Sequence, residues 1–264
     1  MYGICHLSSI PIRAEVSEKS ELATQLLFGE AYQVVEKEEH WIKIKTCDCG
    51  YEGWLDAKLL NPSREEENQY LTAEKYFVKE LVLNIRKLDN YLQFPIFAGS
   101  SFPFPKNNVL TLGEESFMVM LPQETTITSH AHLSKQQLLL VKFVSQYLES
   151  PYLWGGRTPA GIDCSGLVQI ALKSIGIALP RDASQQALIG DNIDFMEEAK
   201  AGDLAFFQNN EGNIIHTGII LGNNTIIHSS GKVRIDALDQ TGIFNKNTQQ
   251  YTHFLRVIKR VIPV

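Results

Sequence analysis

The chain has 264 residues, 44% hydrophobic and 20% charged, with a net charge of −6. That length allows one large domain or two to three small ones, in a globular chain able to bury a sizeable core. The acidic balance argues against nucleic acid or an anionic membrane surface as the main partner. No run approaches the roughly 18 apolar residues of a membrane span.

Met1-Tyr2-Gly3-Ile4-Cys5-His6 has neither a basic nor an apolar stretch, so no signal peptide is expected. The cysteines are Cys5, Cys47, Cys49 and Cys164. Free thiols suit a reducing compartment, which gives a cytoplasmic expectation, or a periplasmic one if a leader has been removed. Cys47 and Cys49 have no second ligand pair at zinc-site spacing, so no metal or cofactor is expected.

Residues 1 to about 60 read as short strands at Ile10–Arg13, Tyr32–Val35, Trp41–Lys45 and Tyr51–Leu55, separated by turn-formers or charges. Short strands at this spacing suggest a small β-barrel. The pattern resembles a bacterial SH3 domain, above all in Gln25-Leu26-Leu27-Phe28-Gly29-Glu30 and Gly50-Tyr51-Glu52-Gly53-Trp54-Leu55. Asn61–Asn68 is polar and reads as a linker. Further short apolar runs, broken by prolines at 95, 103, 105 and 122, suggest a second, degenerate barrel over 61–128.

Residues 129–264 change character. Apolar spacing over Ser134–Leu148 predicts a helix with Ser134 as N-cap, followed by a loop through Pro151–Arg157. A second helix starts near Cys164 and buries Leu167, Val168, Ala171 and Ile175, with Gly176 closing it. Strands are expected at 203–207, 216–221 and 225–229. Helices followed by antiparallel strands make an α+β domain.

A cysteine at a helix start meets unpaired N–H groups and the positive end of the dipole, which favour the nucleophilic thiolate. Taken alone, such a cysteine is more often a buried structural one. The histidines change that balance. His216–Leu221 and Thr225–Ser229 read as two strands about Gly222-Asn223-Asn224. With those three residues as the loop, Gly218 faces His228, and His216 and His228 become diagonal neighbours on one face. A two-residue loop would put them on opposite faces. The pair suits a base, His216, oriented by His228. His6, His40, His130, His132 and His253 read as satisfied or exposed histidines.

Asp163-Cys164-Ser165-Gly166-Leu167, His216-Thr217-Gly218-Ile219 and Ile227-His228-Ser229 together resemble the NlpC/P60 peptidases. So do Tyr152-Leu153-Trp154-Gly155-Gly156, Pro180-Arg181-Asp182-Ala183 and Gly202–Phe207. The resemblance implies a papain-like α+β catalytic domain behind one or two SH3-like β-barrels, with Cys164, His216 and His228 as a Cys-His-His triad. The domain order is similar to that of γ-D-glutamyl-L-diamino acid endopeptidases acting on murein peptides, L-Ala-γ-D-Glu-diamino acid with a free amine. It implies that the first SH3-like domain walls off the cleft beyond L-Ala.

It further implies Tyr152 near the oxyanion, Asp182 on the free amine with Glu21 and Tyr51 as further contacts, Ser165 on the D-Glu carboxylate, and Trp154 along the cleft. For Trp154 a core position is an equal alternative. Ala183 stands where the family often has Ser, which removes a hydroxyl from the D-Glu side. Alternatives are a general peptidoglycan hydrolase or amidase of the same fold, and a non-catalytic wall-binding adaptor.

Overall fold

A computed structural model describes residues 1–61, 68–121 and 133–263. Pro122, His130, His132, most of the 61–68 linker and the expected boundary near 128 lie outside these residues. The chain divides into two compact units, Met1–Ile127 and Thr128–Val264.

The N-terminal unit begins with β1 (Tyr2–Ile4), β2 (Ser9–Arg13), β3 (Leu22–Leu27), β4 (Ala31–Glu38), β5 (Trp41–Thr46) and β6 (Glu52–Asp56). They form one antiparallel sheet in the order β1-β4-β5-β6-β2-β3. Strict alternation drives it: in β5, Ile42, Ile44 and Thr46 are buried while Lys43 and Lys45 are not. These strands wrap a core of Ile10, Ile12, Leu26, Tyr32, Ile42, Ile44 and Leu55. The four expected strands are present; β1 and β3 were not anticipated.

After α1 (Asn68–Thr72) come β7 (Lys75–Phe77), β8 (Val82–Lys87), β9 (Gln93–Phe97), β10 (Ser101–Pro103), β11 (Val109–Leu112) and β12 (Glu115–Met118). They make a four-stranded sheet, β11-β12-β8-β9, and a two-stranded one, β10-β7. Phe28, from the loop after β3, reaches into this half and packs edge-on to Phe94, Phe102 and Phe117.

The C-terminal unit contains α2 (Leu133–Ser145), β13 (Arg157–Thr158), β14 (Gly161–Ile162), α3 (Cys164–Lys173) and α4 (Ala183–Gln186). Its sheet is built from β15 (Asp191–Ile193), β16 (Leu204–Gln208), β17 (Ile214–Gly222), β18 (Thr225–Ser230), β19 (Lys232–Leu238), β20 (Gly242–Asn245) and β21 (Gln250–Arg260). The order is β15-β21-β16-β17-β18-β19-β20, and β20 pairs back onto β21, so six strands close a ring. α2 starts at Leu133, which puts Ser134 inside the helix and not at its N-cap.

α3 packs on β17 and β18, and every residue from Cys164 to Leu172 is buried. It ends as expected: Gly176 takes φ +84°, and the Gly176 and Ile177 N–H groups donate to the Lys173 and Leu172 carbonyls at 3.1 and 3.0 Å. Among the described residues no helix is long and apolar enough to cross a membrane.

Candidate active site

Asp163 caps α3, its carboxylate accepting from the Gly166 N–H at 2.7 Å and the Gly155 N–H at 2.8 Å. The buried Arg181 guanidinium grips the same carboxylate at both oxygens, 3.1 and 2.6 Å, and donates to Ser165 Oγ at 2.8 Å. This bidentate pair ties the Pro180–Ala183 segment to the start of the cysteine helix. Asp163 and Arg181 appear in the sequence motifs, but only their chemistry in three dimensions gives them a role.

Cys164 opens α3 at 7% exposure. Burial, then the Asp163 charge, pushes its thiol up to about 12, against the pull of the Thr217 and Ser165 N–H groups and Arg181. The expected resting thiolate is therefore corrected. Burial outweighs the dipole here, and the carboxylate that completes the helix also opposes the anion. The Thr217 N–H bonded to the sulfur belongs to the residue after His216, which brings nucleophile and candidate base strand together.

The strands of His216 and His228 meet through a loop of two residues, Asn223 and Asn224, both at positive φ as a type I′ turn requires. Leu221 does not face Thr225; Gly222 does, and a bulge between Ile220 and Gly222 absorbs the extra residue. Gly218 therefore still pairs with His228, and His216 Nε2 lies 2.8 Å from His228 Nδ1. Glycine is required at 218: a Cβ would sit 2.8 Å from the Ile227 carbonyl oxygen and 2.9 Å from His228 Cβ.

The row continues. His228 Nε2 lies 3.0 Å from Asp236 Oδ2, and Arg234 holds Asp236 at 2.7 and 2.8 Å. Burial raises the Asp236 carboxyl, but hydrogen bonds from His228 and Arg234 outweigh it and hold the group below its usual value. A carboxylate only accepts, so His228 carries its proton on Nε2 and accepts at Nδ1 from the His216 Nε2–H. The lone pair of His216 is thereby left on Nδ1. Burial, then His253 and His228, holds His216 well below the usual imidazole value, so it is neutral at pH 7.

His253 completes the cluster, stacked on His216 with ring centroids 4.1 Å apart. Read from sequence as a satisfied or exposed histidine, it is half-buried and stacked within this cluster. One nitrogen of each of the three rings falls within 4.8 Å of the others. The direct bond between His216 and His228 uses the lone pair that a metal ion would need on His228.

Of the other expected site residues, Tyr152 is half-buried. Burial, then the Cys164 and Asp163 charges, raises its phenol to about 12, so it is a protonated donor. Ser165 Oγ also donates to Asp163 at 3.3 Å. Asp182 is half-buried at the start of α4 and makes no side-chain cap. Trp154 is 60% exposed, which excludes the core alternative. Glu21 is exposed and Tyr51 half-buried in the N-terminal unit.

An antiparallel ring, helices against it and a cysteine at a buried helix start define a papain-like α+β hydrolase fold. Residues 149–253 match the NlpC/P60 family, and residues 12–60 match the bacterial dipeptidyl-peptidase SH3 domain. The chain is 25% identical to a γ-D-glutamyl-L-lysine dipeptidyl-peptidase of Bacillus cereus, over 94% of this chain and 78% of that one. A protein of the same name from Bacillus subtilis is 27% identical over 79% and 72%. A solved NlpC/P60 family protein from Bacillus cereus matches over the whole of both chains with a TM-score of 0.83 at 20% identity, a likeness of fold. The chain therefore carries an NlpC/P60 domain over residues 149–253, with a bacterial SH3 domain N-terminal to it over residues 12–60.

Proposed function

We propose that the protein is a cysteine peptidase that hydrolyses the γ-D-glutamyl–diamino acid bond of murein peptides bearing a free N-terminal L-Ala. The observation that carries the reading is the Asp236–His228–His216 chain, which leaves a neutral imidazole with its lone pair on Nδ1, on the strand whose next N–H bonds the Cys164 sulfur. Cys164 starts as a thiol. His216 Nδ1 takes its proton as the sulfur attacks the γ-carbonyl of D-Glu. The Cys164 N–H and the Tyr152 hydroxyl stabilise the oxyanion. The C–N bond then breaks, His216 returns the proton to the leaving amine, and water hydrolyses the thioester to free the thiol and the D-Glu carboxylate.

Asp182 pairs with the free ammonium, and Ser165, sharing its bonds with Arg181 and Asp163, faces the D-Glu α-carboxylate. Trp154, exposed, lines the cleft. The names of the two relatives favour lysine at the third position. Cys47 and Cys164, as thiols, suit a reducing compartment such as the cytoplasm.

The test is incubation with L-Ala-γ-D-Glu-L-Lys and its meso-diaminopimelate counterpart, with mass detection of L-Ala-D-Glu. Release by the wild type and none by Cys164→Ala is expected. Release of other fragments from intact peptidoglycan would move the reading to a general wall hydrolase. Binding without turnover would move it to an adaptor.

A further inference from the structure

We propose that His253 is a positioning residue for the base, its imidazole lying flat on the His216 ring to fix the plane of that ring and keep water from it. The inference rests on the reading of His216 as the base. The two centroids are 4.1 Å apart at an interplanar angle of 25°, a stacked pair. The other rings around His216 do something different. His228 meets it edge-on at 87° along the hydrogen bond, and Phe207 is tilted at 46° with centroids 5.8 Å apart. One residue from each of five adjacent strands builds this row: His253 on β21, Phe207 on β16, His216 on β17, His228 on β18 and Asp236 on β19.

Position in the row assigns the role. His216, His228 and Phe207 are buried, whereas His253 is half-buried, so of the rings stacked or packed on the base it is the one that reaches solvent. A single hydrogen bond to His228 sets where His216 Nε2 points but leaves the ring free to turn about that line. A flat aromatic contact removes this rotation. The contact fails when both rings are charged, because two stacked cations repel. Burial, then His228, pushes His253 down to about 4, so at pH 7 it is neutral, as the base is. The titratable groups acting on His216 are His228 from β18, with Asp236 and Arg234 behind it on β19, and His253 from β21; Phe207 on β16 brings no charge, and Cys164 on α3 is bonded by the N–H of the next residue, Thr217.

His253→Ala and His253→Phe separate the proposal from a merely structural role. In His253→Ala we expect kcat to fall about tenfold with little change in KM, and the acid limb of the pH–rate profile to move to higher pH as water reaches His216. His253→Phe, which keeps a flat ring, should restore most of kcat and return the acid limb towards wild type. Should His253→Ala fail to fold, His253→Gln, also without a ring, takes its place. Wild-type kcat and an unmoved acid limb in the ringless variant would overturn the proposal, as would equal losses in the ringless and Phe variants. NMR titration of the His216 ring reads the same shift without turnover. A wild type that cleaves no peptide would defeat the peptidase reading, while an upward His216 shift in His253→Ala would still support the shield.

Discussion

Asp236 accepts a hydrogen bond from His228 at 3.0 Å, and this bond, through His228, decides which nitrogen of His216 keeps its lone pair. Each step uses the same geometry. His216 lies two residues from Gly218, the partner of His228, and Asp236 lies two residues from Arg234, the next partner of His228. Diagonal neighbours on adjacent antiparallel strands come within reach of long side chains. In Asp236→Asn the amide can donate to His228 Nε2, which reverses both tautomers. An orienter in direct contact with a catalytic histidine is worth about 10⁴ in kcat. One bond further out, we expect a fall of about 10- to 100-fold with little change in KM. An unchanged kcat in steady-state kinetics would remove Asp236 from the relay.

Gly218→Ala tests how the pair is brought together. The new methyl group would lie 2.8 Å from the Ile227 carbonyl oxygen and from Ile226 Cδ1, so the strands must part. Overpacking of this kind costs about 1–3 kcal/mol, and parting the strands lengthens the bond between His216 and His228. A lowered Tm together with a kcat loss larger than that of other core glycine variants is the expected result.

Much of the site was legible in sequence because it is local. Cys164 at a helix start follows from helical periodicity, and the register of Gly218 with His228 follows from alternation on two strands joined by a short turn. The turn itself was misjudged. The bulge at Leu221 leaves no mark in the hydrophobic pattern, and it reconciles a two-residue loop with a shared face. Asp236 was within reach, since Lys232-Val233-Arg234-Ile235-Asp236 alternates after the Gly231 turn. His253 was not. It comes beside His216 only because β21 pairs with β16 across nearly fifty residues of chain, and register between distant strands cannot be counted from a turn. The thiol of Cys164 was misread for a related reason: the dipole is a property of the helix, whereas burial depends on what packs over it.

Arg181→Met should be costly to stability. Arg181, 2% exposed, holds both Asp163 oxygens, and its loss leaves a buried carboxylate facing no cation from that side. Breaking a buried pair from one end typically costs about 3–5 kcal/mol. Urea denaturation should show a loss of this size, and Asp163→Asn added to Arg181→Met should recover part of it, because Asn also caps a helix. Full additivity of the two single losses would show that the pair is not coupled.

The pH dependence follows from the neutral ground state. His216 is held well below 6.5 in the folded protein, so its neutral form stabilises the fold above about 6.5, and that contribution is lost as pH falls towards the folded value. The acid limb of kcat/KM should have its midpoint below 6.5, with stability declining over the same window. Cys164 and Tyr152, both raised to about 12, add no basic limb near neutrality. Thiolate absorbance at pH 7 should not change on Cys164→Ser. An acid limb above 6.5, or a thiolate signal lost in that variant, would contradict the neutral pair.

Recognition of the free amine is a separate question from the reaction. Acetylating the N-terminus of L-Ala-γ-D-Glu-L-Lys removes the positive charge that Asp182 is proposed to pair with and adds bulk beside it. Truncating one partner of a buried charge pair typically costs about 2–5 kcal/mol. Asp182 is only half-buried, so solvent screening places the expectation at the lower end. At about 1.4 kcal/mol per tenfold, that lower end is a loss of about thirtyfold in kcat/KM on the wild type. On Asp182→Asn, the free peptide should fall towards the acetylated one, because the amide offers no charge to lose. Competition between the two peptides, followed by mass, measures both ratios at once. Equal rates on the wild type would discard the free-amine preference while leaving the peptidase assignment standing. A preference that survives intact in Asp182→Asn would move the ammonium contact to another residue, since only a group untouched by the substitution could still distinguish the two peptides.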